Sequence, residues 1–140
     1  MNVRRAFVLG SRHFALLCKT LAVVVTMRLA LLVTKHRHIA QHITVKPAPS
    51  GYVREASTLA WAVRNTARIV PFAHCLTQAL SLQYLLGQQG MTSTIRVGVQ
   101  MARNGTLDSH AWLIHDGTVL LGGSENELAA FTKMVDLTPS

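Results

Sequence analysis

Residues 71–99, PFAHCLTQALSLQYLLGQQGMTSTIRVGV, change their hydrophobic period once, and the position of that change decides the fold. From Cys75 through LTQALSLQYLLGQQ the pattern predicts a Leu-rich helix that stops at Gly90, a residue suited to a helix C-terminus. Beyond it Ile95, Val97, Val99 and Met101 alternate with Thr94, Arg96, Gly98 and Gln100, the period of a half-buried strand. A cysteine opens the helix, directly behind Pro71 and His74.

Downstream the strand signals continue. Asn104-Gly105 predicts a turn, LDSHAWLIH (107–115) a second strand, Asp116-Gly117 a two-residue turn and TVLLGG (118–123) a third strand. Ser124 with Glu127 three residues on predicts a capping box for a short helix, ENELAAFTKM. Upstream, EASTLAWAVRNTARIV (55–70) places Leu59, Val63 and Val70 on one face of a helix ended by Pro71. Pro47, Pro49 and Gly51 mark a linker, and residues 3–34 read as helix. Helices followed by a three-stranded antiparallel meander make an α+β domain. Two regions are expected: 1–54, a basic, apolar helical region with its linker, and 55–140, the core.

Charge divides the chain at the same place. Up to Arg54 there are nine Lys or Arg and no acid, giving +9, and the remainder carries five bases and six acids, leaving −1. Such a field favours an anionic partner surface. Arg12, Lys19 and Arg28 interrupt the apolar run from Phe7 to Val33, so its uncharged runs fall short of the ~20 residues of a membrane span. Arg5, Arg12 and Lys19 recur every seven residues on one side of a helix. Arg28 falls about half a turn out of phase with them, so one amphipathic helix does not explain the whole segment.

Two cysteines in unlike surroundings, and no paired CxxC, argue against a disulfide framework or a zinc site and for a reducing cytoplasm. His36, His38 and His42 have no Cys, Asp or Glu near them, so no metal is expected. No phosphate-binding Gly-rich loop is present, so any ATP dependence belongs to a partner. Aromatic residues are few and not interleaved with the basic ones, against single-stranded nucleic acid as a ligand.

Cys75 and His110 are the candidate catalytic pair. Unpaired N–H groups and the helix dipole favour an anion at a helix start, and such sites are where thiolates form most readily. A strand-borne histidine facing a helix-borne cysteine can take its proton, and the thiolate then attacks a carbonyl whose oxyanion the N–H groups hold. The alternative is a buried small hydrophobe at position 75 and core packing at HAW.

The run PFAHCLTQALSLQYLLGQQGMTSTIRVGV followed by SHAWLIHDGTVLLGG resembles the transglutaminase-like (papain-like) cysteine peptidase domain of lasso-peptide maturation B proteins. The resemblance implies a peptidase that removes the leader from a ribosomally made lasso precursor, with Cys75 as nucleophile and His110 as general base. It implies no cofactor. As partners it implies the precursor peptide, an asparagine-synthetase-like cyclase and a separate leader-binding protein, because residues 1–54 lack the pattern of the family's leader-binding domain. A cytoplasmic enzyme is expected, with the N-terminal helices docking on a partner or on the inner face of the membrane. The family's third catalytic member is an Asp twelve residues after the histidine, where this chain has Gly122. Glu125 is the nearest carboxylate beyond that point and the weak candidate for the third member, because a first-turn role favoured by the helix dipole accounts for it better. Asp116 reads as a turn residue, Asp108 shares the face of His110 but is poorly placed to reach its far ring nitrogen, and Asp136 comes into reach only after a chain reversal. Two other readings stand beside the peptidase: an acyl-transfer enzyme of transglutaminase type, and a basic helical module for membrane or nucleic acid with Cys75 structural.

Overall fold

The computed structural model describes residues 3–35, 38–39, 42–45 and 56–138, with the side chains of 3–13 and 125–126 outside the description. Among the described residues three long helices precede the sheet: α1 (Val3–Val33), α2 (Ala56–Ala67) and α3 (Cys75–Gln88). The strands are β1 (Thr94–Met101), β2 (Leu107–His115), β3 (Thr118–Leu121) and β4 (Thr132–Leu137), with a one-turn helix α4 (Glu125–Leu128) before the last. They form one antiparallel sheet in the order β3-β2-β1-β4. The α+β class holds.

The fourth strand is a difference from the sequence reading. The residues expected to continue a helix through Met134 leave it after Leu128, and Thr132–Leu137 pair with β1 instead. Ser124 Oγ does accept from the Glu127 N–H at 3.3 Å, so the cap forms. A single capped turn is too short to persist in water on its own propensity. The free edge of β1 offers the next residues a full ladder of hydrogen bonds.

The α3 boundaries follow local chemistry. At its C-terminus the Gly90 N–H donates to the Gly87 carbonyl and the Met91 N–H to the Leu86 carbonyl, a Schellman pair with Gly90 at φ +77. Helix α2 stops at Ala67, three residues before the expected end. There the Ile69 N–H turns back to the Thr66 carbonyl, and the chain runs on toward Pro71.

One face of the sheet packs on the helices. Ile95, Ala111, Leu113, Leu121 and Leu137 join Leu59 and Val63 of α2, Leu80, Leu82 and Leu86 of α3, and Leu16 and Met27 of α1 in a single buried cluster. Gln83, buried within α3, donates to the carbonyls of Leu137 (3.1 Å) and Ser93 (3.4 Å), tying the helix to β4 and to the entry of β1. Helix α1 therefore shares the core of the elements that carry Cys75 and His110.

Phe14–Val33 of α1 is long and apolar enough to cross a membrane by length and composition, with mean hydropathy 2.1. Yet Leu16, Thr20, Val24 and Met27 are buried against the rest of the domain.

Candidate active site

Cys75 is the first residue of α3, half-buried and unpaired with Cys18. His74 occupies the N-cap with extended backbone (φ −79, ψ −174) and makes no side-chain cap bond. The N-cap side chain therefore accepts from none of the first N–H groups of the helix, and they present the positive end of the helix dipole beside the sulfur. The chain reaches this point through a tight turn in which Phe72 takes φ +61, a conformation bulky residues rarely adopt. The Phe72 ring is 68% exposed, 6.3 Å from that of His74, and the Arg28 guanidinium lies 5.7 Å from its centroid.

His110 stands on β2 opposite Gly98 of β1. Strand alternation gives Ala111 and Leu113 to the helical core and puts His110 and Trp112 on the other face. There the imidazole lies 6.2 Å from the Trp112 ring, nearly parallel to it, and 5.6 Å from that of Phe131. Gly98 makes room for these rings, since a Cβ on it would come within 2.8 Å of Trp112 and 3.1 Å of Phe131.

His110 Nε2 is hydrogen-bonded to the carbonyl oxygen of Gly122. A carbonyl can only accept, so Nε2 carries the proton and Nδ1 of the neutral ring is an acceptor. A backbone carbonyl thus stands where the resemblance implies an acid, and it fixes the tautomer without adding a charge.

A bulge explains how the carbonyl arrives there. Leu113 pairs with Leu121 but Ile114 with Val119, leaving Leu120 as an extra residue in β3. Arg64 of α2 donates to the Leu120 carbonyl at 3.3 Å. A regular two-residue hairpin would have set Gly123 opposite His110. With the bulge, the residue that follows β3, Gly122, turns toward Trp112 instead. It holds φ +113, and a Cβ built on it would lie 2.5 Å from the Trp112 Cβ. An Asp at position 122 is excluded by space and by backbone conformation, and its side chain would point at Trp112 and not at His110.

Asp136, Asp116 and Asp108 do not replace it. Asp136 is held bidentately by Arg96 (3.0 and 3.2 Å) and by Lys133 at 3.0 Å. These bonds, that from Arg96 foremost, keep its carboxyl below the ordinary range, and the same bond holds the Arg96 guanidinium more firmly charged. Asp116 sits at φ +52 in the turn before Gly117, and Asp108 is exposed. The Glu125 side chain lies outside the described residues. Among the described residues Cys75 Sγ makes no hydrogen bond, so the structure joins His110 to Gly122, Trp112 and Phe131 but does not bond it to Cys75. Phe131 and the Gly122 carbonyl were not legible as site groups, and the aromatic after Pro71 was the one available hint of Phe72.

Comparison with known families decides the broader assignment: a model described as the transglutaminase-like superfamily matches residues 20–136. The chain belongs to the transglutaminase-like superfamily. That superfamily includes cysteine peptidases and acyl-transferases and is typically enzymatic. The match begins inside α1 and ends in β4, so it takes in the last strand as well as the cysteine helix and the histidine strand. No curated protein and no solved structure matches the chain.

Proposed function

We propose that this transglutaminase-like protein is a cysteine peptidase that removes the leader from a ribosomally made lasso-peptide precursor, with Cys75 as nucleophile and His110 as general base. The observation that carries the reading is the His110–Gly122 hydrogen bond, which leaves Nδ1 as the proton acceptor of the ring. In the substrate complex Nδ1 takes the Sγ proton and the thiolate adds to the scissile carbonyl. The N–H groups at the start of α3 hold the oxyanion. The imidazolium then gives its proton to the leaving amine, and water, deprotonated by Nδ1, releases the acyl group from sulfur. For this chemistry Sγ and Nδ1 must meet in the substrate complex, since the free chain leaves them unbonded and catalytic hydrogen bonds often tighten only when substrate is bound. Specificity for a lasso leader rests on the run from Pro71 to Gly123. A separate leader-binding protein and an asparagine-synthetase-like cyclase are its proposed partners.

The test begins with the genes beside this one, where a short precursor and such a cyclase are expected. The purified protein, mixed with that precursor and the leader-binding protein, should release free leader by mass spectrometry. Cys75→Ala should abolish the release, and His110→Ala should lower it by about 10²–10⁴. Cleavage by Cys75→Ala at more than about a hundredth of the wild-type rate would remove Cys75 as nucleophile. A product joined to an added amine in place of water would make the chain a transglutaminase.

A further inference from the structure

Helix α1 has a second face that the core does not use. At 100° per residue, Phe14, Ala15, Cys18, Leu21, Ala22, Val25, Leu29, Leu32 and Val33 fall within an arc of about 120°. All but the half-buried Leu21 are exposed, with Phe14 68%, Leu29 58%, Leu32 63% and Val33 86% accessible. The arc contains no charge and no hydroxyl. Lys19 and Arg28 lie just outside its two borders. Over 20 residues it extends about 30 Å.

We propose that this face of α1 lies in the surface of an anionic lipid bilayer, with its axis in the membrane plane. Three observations commit it to lipid. A stripe this wide with no hydrogen-bonding side chain suits acyl chains, and its cationic borders suit headgroups, the arrangement of interfacial helices. The first 54 residues carry nine basic side chains and no acid, complementary to anionic lipid. The opposite face, Leu16, Thr20, Val24 and Met27, is embedded in the domain core, so the folded protein cannot surround α1 with lipid on all sides. The helix therefore lies on the membrane and does not span it, although its length would allow either. Phe72, stacked under Arg28, adds an exposed ring beside one border and sets the turn before Cys75 near the lipid surface. The surface is independent of the peptidase reading, since none of its stripe residues belongs to the proposed chemistry.

The test uses the full chain with Cys75→Ala, so that Cys18 is the one thiol, and vesicles of phosphatidylcholine with or without phosphatidylglycerol. Co-sedimentation should require phosphatidylglycerol and fall as salt rises from about 0.05 M to about 0.5 M, where charge interactions are screened within a few ångströms. Maleimide labelling of Cys18 should slow on adding the anionic vesicles. Leu29→Glu with Leu32→Glu, both exposed, should reduce partitioning by about tenfold or more while circular dichroism is unchanged. Alkaline carbonate should strip the bound protein. No sedimentation with either vesicle overturns the proposal. So does Cys18 protection that rises with protein concentration in the absence of lipid, which makes the face a protein interface. Carbonate-resistant protein with its N-terminus protected from protease would mean that α1 spans the bilayer.

Discussion

Alternate residues of β2 serve two faces of one sheet. Ala111 and Leu113 point into the helical core, where Leu113 is fully buried within the apolar cluster. His110 and Trp112 point the other way, to a face held by two aromatic rings, a glycine carbonyl and, one step along β1, the Arg96–Asp136 pair. The first face tolerates any side chain of suitable volume, because dispersion and the hydrophobic effect are non-directional. The second depends on backbone positions, because a carbonyl must arrive at one ring nitrogen and a Cβ must be absent at Gly98 and Gly122.

The sharpest way to break the contrast is to alter both faces of β2. Leu113→Ala should cost about 2–5 kcal/mol of stability by denaturant unfolding and leave the turnover of the folded fraction intact. His110→Ala should do the reverse, removing activity with a small change in stability. If both variants lose stability equally, the aromatic face is core and His110 is packing.

Gly122→Ala should destabilise by about 2–4 kcal/mol, since a Cβ there meets Trp112 and the backbone must leave φ +113. Any folded protein should also show changed ring-nitrogen chemical shifts of His110 by NMR, because the carbonyl that fixes its tautomer moves. A neutral result in both measurements would mean that the strap carrying Gly122 does not orient the ring.

The smallest effect belongs to Asp136→Asn, about 1 kcal/mol or less for a half-exposed pair. The folded carboxyl titrates below its unfolded value near 3.9. Its contribution is therefore complete above that pH and is lost as pH falls through the depressed value. Wild type and variant should differ most near neutrality and converge in strong acid. A difference that grows with acidification would reverse the sign and place Asp136 in another role.

Sequence alone was enough for the helix start at Cys75, the Gly90 stop, the Asp116-Gly117 turn and the strand period from Ile95. Each rests on neighbours within a few residues: caps, positive φ and alternation are local physics. The pairing of Thr132–Leu137 with β1 was invisible because a polar segment after a capping box reads as helix until a free strand edge competes for it. The bulge in β4 that leaves Met134 unpaired, and so turns Lys133 and Asp136 to one face, has no signature of its own. Neither has the bulge at Leu120, and with it goes the reading of the third site group. A one-residue shift in register redirects every side chain beyond it. At position 122 it presents a carbonyl to His110 where the family resemblance implies a carboxylate. For the apolar helix at the N-terminus, Lys19 and Arg28 argued in sequence against a membrane span, whereas its length and mean hydropathy would allow one. Only the burial of one side of α1 against α2 and α3 makes the two faces unequal, and a helix with one face committed to protein has only the other to give to anything else.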